Sequence, residues 1–169
     1  MKLLKHLFSW LVLSFLLSGV AIAGDDPDVE VISVYQSVIQ MSLAKGVSLK
    51  DAGDAMISKA AEFNLGMVTS QKIHEQARSR GITSPHIEIL QFCDPDDVVK
   101  MVLKNPLYSA YMPCRISLVE DTDGKAWLYM VNLDMLINNS TLSPDLQEIA
   151  IRVNQAMLAV MTAGATGEF

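Results

Sequence analysis

Two runs of β-forming residues, Cys114 to Glu120 and Lys125 to Asn132, flank the dipeptide Asp123-Gly124. An Asp-Gly pair between such runs is a strong hairpin signal, because the tight turn that matches strand twist needs positive φ at its central positions. The spacing therefore predicts an antiparallel pair before any long-range contact is considered. Downstream, Ser143-Pro144 opens a helix in which Leu146, Ile149, Val153, Met157, Val160 and Met161 form one apolar stripe, with Gly164 at its end. A hairpin followed by a long amphipathic helix can bury both apolar faces only by laying helix on sheet, so the chain is read as α+β.

Upstream segments extend the same plan. Val29 to Met41 is rich in β-branched residues and predicts a first strand. Ser48 reads as an N-cap with Asp51 three residues on, and Ala52, Ala55, Met56, Ala60 and Phe63 recur at helical spacing, which predicts an amphipathic helix over 49–63. Leu65 to Ile73 follows as a second strand, and Glu75 to Arg80 as a short turn or helix that Gly81 stops. His86 to Cys93 alternates as a third strand, with Ile87, Ile89 and Cys93 on one face and His86, Glu88, Leu90 and Phe92 on the other. Asp94 caps the helix that follows, Pro95 suits its first position, and Asp96 and Asp97 at the start with Lys100 and Lys104 late complement the helix dipole. The expectation is a single domain over 24–169, with an antiparallel sheet of about four to five strands packed by two to three helices.

The N-terminus is read separately. Lys2 and Lys5 precede an uncharged apolar run from Leu7 to Ala23, which closes on Ala21-Ile22-Ala23 before Gly24-Asp25-Asp26. These are the regions of a secretory signal, with cleavage expected after Ala23 and a periplasmic or secreted product that is not held in the membrane. Losing residues 1–23 removes two lysines and no acid, so the net charge moves from −6 to −8. An acidic domain repels phosphate backbones and anionic lipid, which excludes nucleic acid as a partner class.

Several fragments together resemble the domain of unknown function 302 family. They are Phe92-Cys93-Asp94-Pro95, Met112-Pro113, Val119-Glu120-Asp121, Asp123-Gly124-Lys125-Ala126-Trp127, Asn132 and Ala165-Thr166-Gly167. The resemblance is close over roughly 85–167 and looser before it. It implies a TATA-box-binding-protein-like α+β arrangement, often homodimeric, and it implies no catalytic residues and no DNA binding. Against that family pattern, Cys93 stands where many members have Gly, and Cys114 follows the proline where an apolar residue is common, so the two cysteines mark a subgroup of bacterial, exported members.

Cys93 and Cys114 are the only cysteines, and in an oxidising compartment two thiols pair, react, bind a metal or are buried. Strand parity places Cys114 with Ile116 and Leu118, and Cys93 with Ile87 and Ile89, so both sulfurs are expected on one apolar layer and within disulfide reach if the strands are antiparallel neighbours. A disulfide would close a 22-residue loop. A thiol–disulfide or sulfur-carrier site is the second reading, with Arg115 beside Cys114 favouring thiolate and Asp94 beside Cys93 opposing it. Copper(I) held by Cys93, Cys114 and a thioether such as Met112 is the third, and plain buried thiols the fourth. Zinc lacks ligands, and no cofactor is implied.

Trp127 and Tyr129 share a strand face and Tyr108 and Tyr111 lie in the preceding loop, so these four are candidates for a pocket or a dimer contact, or else for the core. Glu120, Asp121 and Asp123 read as a solvated hairpin tip. No nucleophile elbow or Ser-His-Asp set is legible. The residues therefore point to an exported binding module for a small ligand or a protein partner, stabilised by a Cys93–Cys114 disulfide, rather than to an enzyme.

Overall fold

The computed structural model describes residues 37–138 and 140–169. The expected signal sequence and the beginning of the first expected strand lie outside the described residues. Five strands, β1 (Val38–Ser42), β2 (Gly66–Lys72), β3 (Ile87–Cys93), β4 (Cys114–Glu120) and β5 (Ala126–Val131), form one sheet in the order β1-β5-β4-β3-β2. Every neighbouring pair is antiparallel. The helices are α1 (Leu49–Glu62), α2 (Ile73–Ser79), α3 (Pro95–Lys104), α4 (Leu133–Asn138) and α5 (Pro144–Thr166), with a 3-10 helix at Pro106–Tyr111. Among the described residues no helix is long and apolar enough to cross a membrane.

Local chemistry starts the elements where the spacing predicts. The Ser48 side chain accepts from the Asp51 amide at 3.0 Å and caps α1, and Asp94 accepts from the Asp96 amide at 2.9 Å and caps α3 with Pro95 in the first turn. Asp121 organises the β4–β5 hairpin by accepting from the amides of Asp123 and Lys125 at 3.0 and 2.9 Å, while Gly124 supplies the positive φ, 77°, that the turn requires.

Helices α1 and α5 pack against each other and cover one face of the sheet. That face is built from Leu90 and Phe92 of β3, Ile116 and Leu118 of β4, and Leu128 and Met130 of β5, all buried. The register places Leu90 opposite Ile116 and Phe92 opposite Cys114, and directly opposed residues of an antiparallel pair share a face. The core face of β3 is therefore the Leu90 and Phe92 face. The expected grouping of Ile87, Ile89 and Cys93 with the β4 core residues is corrected, and with it the expectation that Cys93 and Cys114 share one apolar face: Cys114 stands on the Phe92 face and Cys93 alternates to the other. Both faces of β3 carry apolar residues, and only the pairing register selects between them.

The C-terminal helix also differs from expectation. Gly164 does not end it. The helix runs on to Thr166, and Gly167 ends it in the left-handed region at φ 72°, its amide donating to Ala163 O at 2.7 Å. Gly164 is buried inside the helix, where a Cβ would stand 2.5 Å from Met56 Cγ and 3.2 Å from Leu128 Cδ1. With Ala52, Ala55 and Ala60 on the buried side of α1, it lets α5 approach α1 and the sheet closely. Helix α4, for which the apolar pattern of 133–138 carries no separate signal, docks on α5 where Asn154 Nδ2 donates to Asp134 Oδ1 at 2.7 Å.

Candidate functional site

The end of β3 and the beginning of β4 open onto a cavity of about 380 Å³. Phe92 and Cys93 reach it from β3, and Met112 and Cys114 from the entry to β4. One side is closed by α3 and the 3-10 helix, through Val98, Met101, Leu107, Tyr108 and Tyr111. The other is closed by Leu133, Met135, Leu136 and Ile137 of α4 and by Ile149, Ala150 and Val153 of α5. The walls are overwhelmingly apolar, as is usual for sites that hold small organic molecules.

Sequence chemistry explains how this wall is held. Asp94 starts α3 immediately after Cys93, so the chain turns from strand into helix at the cavity edge. Asn105 ends α3 and caps the 3-10 helix, its side chain accepting from the Leu107 amide at 3.0 Å. Asp97, buried on α3, accepts from Arg152 Nη2 of α5 at 2.6 Å, with Lys100 Nζ 3.9 Å from its other oxygen. This ion pair ties the α3 wall to α5. Asp97 was legible only as a helix-start acid and Arg152 not at all, since residues 55 apart in the chain give no local sign of pairing.

Both cysteines are free thiols. Their chemistry is set by burial: the Cys114 thiol is pushed up to about 11 by burial first and by neighbouring Cys93 second, while Arg115 pulls the other way and is outweighed. Burial also raises Cys93, and Asp94 adds to the effect. Both groups are accordingly protonated near neutral pH, an environment opposite to the one that activates a nucleophilic cysteine. Arg115 and Asp94 act in the directions their charges imply, but desolvation is the larger influence on both sulfurs.

The four aromatic candidates separate. Tyr108 and Tyr111 line the cavity with the cysteines. Trp127 and Tyr129 lie on the opposite face of the sheet from buried Leu128 and Met130, half-buried. There Trp127 Nε1 donates to Asp121 Oδ2 at 2.8 Å, Lys125 Nζ sits 3.8 Å from the Trp127 ring centre, and Tyr129 Oη accepts from Gln40 Nε2 at 3.3 Å. The indole bond holds the Asp121 carboxyl below its ordinary range. These contacts organise the hairpin and leave Trp127 and Tyr129 outside the cavity.

Another polar cluster sits at the far end of β3. The His74 and His86 rings are 4.2 Å apart, and His86 Nε2 lies 3.2 Å from Glu88 Oε2. Burial, and then His74, lower the His86 pKa despite Glu88. Among the described residues no three His, Cys, Asp or Glu side chains converge as metal ligands.

The methionines of the cavity were the least legible part of the site. Met101 and Met135 join Met112 and the two cysteines on its walls, although they lie on α3 and α4 and no spacing rule connects them. Helical periodicity in α3, with Val98 and Met101 three apart, is the one signal that could have found Met101.

Comparison with known proteins gives the scaffold but no activity. No curated protein matches the chain. The crystal structure of an uncharacterized conserved DUF302 protein from Bacillus stearothermophilus superposes with a TM-score of 0.60 at 18% identity, covering 78% of this chain and 98% of that one. At that identity the likeness speaks for the fold alone. The family model for the domain of unknown function DUF302 matches residues 39–164, well over half of the sequence, and the chain belongs to that family.

Proposed function

We propose that the domain binds a small, largely apolar ligand in the cavity between the β3 and β4 ends and the α3, α4 and α5 helices. The observation that carries this reading is the cavity itself, about 380 Å³ and walled by Leu, Ile, Val and Met side chains with two tyrosines at hand. Its size suits a small organic molecule. The thiols are held protonated, which favours a binding role over thiol transfer. The reading includes export, supported by the charged and apolar pattern of residues 1–23.

Titration of the protein with the neutral fluorophore N-phenyl-1-naphthylamine tests the cavity. Saturable fluorescence enhancement is expected, and Ala150→Phe, which projects a ring from α5 into the space, is expected to weaken it by about tenfold or more while leaving the circular dichroism spectrum intact. Equal affinity in the folded variant, or no binding by the parent protein, would refute the reading.

After export the same pair can be closed. Cys93 ends β3, Cys114 begins its antiparallel neighbour β4, and both line one cavity. Transfer of two electrons and two protons from the thiols to an added diazene oxidant, which becomes the hydrazine, joins the sulfurs, and a 22-residue loop of this kind is worth about 3.4 kcal/mol on the chain-entropy formula. Thiol titration in denaturant is expected to find two thiols in reduced protein and none after treatment with diamide, with no change in mass beyond the loss of two hydrogens. Two surviving thiols would remove the disulfide from the account.

A further inference from the structure

Five sulfur-bearing residues from four separate segments line the same cavity: Cys93, Cys114, Met101, Met112 and Met135. The chain holds ten methionines and two cysteines, so both cysteines and three of the methionines border one cavity. Elsewhere methionine serves the core, as Met56, Met157 and Met161 do under α1 and α5. We propose that this cavity, at the end of β3 and the start of β4, holds a binding site for a soft monovalent cation, copper(I), with Cys93, Cys114 and Met112 as its ligands and Met101 and Met135 as alternative thioether donors.

The donor chemistry selects the ion. Thiolate and thioether ligands together favour copper(I), whereas zinc, which also takes thiolate, needs three or four Cys, His or carboxylate ligands and calcium needs oxygen ligands. No such triad converges among the described residues, which leaves zinc and calcium without a ligand set. Copper(I) is satisfied by few ligands, and apolar walls that exclude water suit an ion that carries little hydration. Met112 is the natural third donor because it enters the cavity two residues before Cys114. Asp94, which starts α3 directly after Cys93, places negative charge where a cation gains from it.

The step balances without a redox partner. One aqueous copper(I) ion binds two thiols, two protons pass to solvent, and two copper–sulfur bonds form, with the thioether of Met112 adding a neutral third. No electron is transferred.

The site deepens the cavity reading but can fail separately from it. Under anaerobic, reducing conditions the purified chain competes with the chromophoric chelator bicinchoninate for copper(I), and withdrawal of one equivalent is expected. Cys114→Ser is expected to lower affinity by at least about 10–100-fold, the loss that removing a mere supporting group already causes, and Met112→Leu to lower it measurably while leaving both thiols countable. If the chelator keeps all the copper, or if the Cys93→Ser/Cys114→Ser double variant competes as well as the parent, the site is refuted. If Met112→Leu, Met101→Leu and Met135→Leu all leave affinity unchanged, the thioether part is refuted. Ala150→Phe separates the two readings, since loss of the naphthylamine probe with retention of copper(I) supports an ion site that does not depend on the organic-ligand volume. Circular dichroism of each variant shows whether a loss of copper reflects a folded protein.

Discussion

Gly164→Val is expected to be among the most destabilising single changes in this domain, and even Gly164→Ala is expected to cost net stability. Alanine in place of glycine inside a helix ordinarily stabilises by about 0.8–1 kcal/mol. Here the added Cβ would stand 2.5 Å from Met56 Cγ, 3.0 Å from Met56 Sδ and 3.2 Å from Leu128 Cδ1. Met56 and Leu128 are both fully buried, and Cγ is not the free end of the Met56 side chain. Overpacking of this kind costs about 1–3 kcal/mol and more for a larger group, so it outweighs the propensity gain. Urea unfolding followed by circular dichroism should show a lower midpoint for the alanine variant and a much lower one for the valine. Shortening the obstacle tests the cause: Met56→Ala combined with Gly164→Ala should lose less than the two single losses added together. A Gly164→Ala protein as stable as the parent would show that α1 and α5 have room to separate.

Phe92→Ala should cost about 3–5 kcal/mol, the range for deleting a buried aromatic side chain and leaving its space unfilled. Phe92 is completely buried, opposite Cys114 in the β3–β4 register, and it also forms part of the cavity wall. Against a total stability of about 5–15 kcal/mol for a domain of this kind, such a loss threatens folding at ordinary temperature. Gln91→Ala, one residue earlier on the opposite face, should change stability by no more than about 0.5 kcal/mol. The contrast measures directly which face of β3 is the core. Comparable unfolding midpoints for the two variants would overturn the assignment.

Much of the fold was legible because it is set by contacts only a few residues apart. Ser48, Asp94 with Pro95, and Asp123-Gly124 each work through hydrogen bonds or φ preferences within four positions, and each begins or turns its element where the spacing predicts. Cys114 to Glu120 is likewise a strand with those bounds. The cavity was only partly legible: Tyr108, Tyr111, Met112 and both cysteines were candidates on chemical type, and they do line it. Trp127 and Tyr129 were candidates on the same grounds, but the alternation of β5 turns them to the other face of the sheet.

By itself the sequence determined an α+β chain, the caps and turns that begin its elements, and two thiols at the end of one strand and the start of another. Those are consequences of backbone preference and short-range hydrogen bonding, which a linear pattern records. The core face of β3, the course of α5 past Gly164, and the gathering of Met101, Met112, Met135 and both cysteines around one cavity were decided by tertiary structure alone. The reason is physical. On β3 apolar side chains occupy both faces, so pairing register chooses the buried one, and a glycine reads as a helix stop until Met56 and Leu128 occupy the space its missing side chain leaves. Met101, Met112 and Met135 become neighbours only when α3, α4 and the β4 entry pack around a common volume.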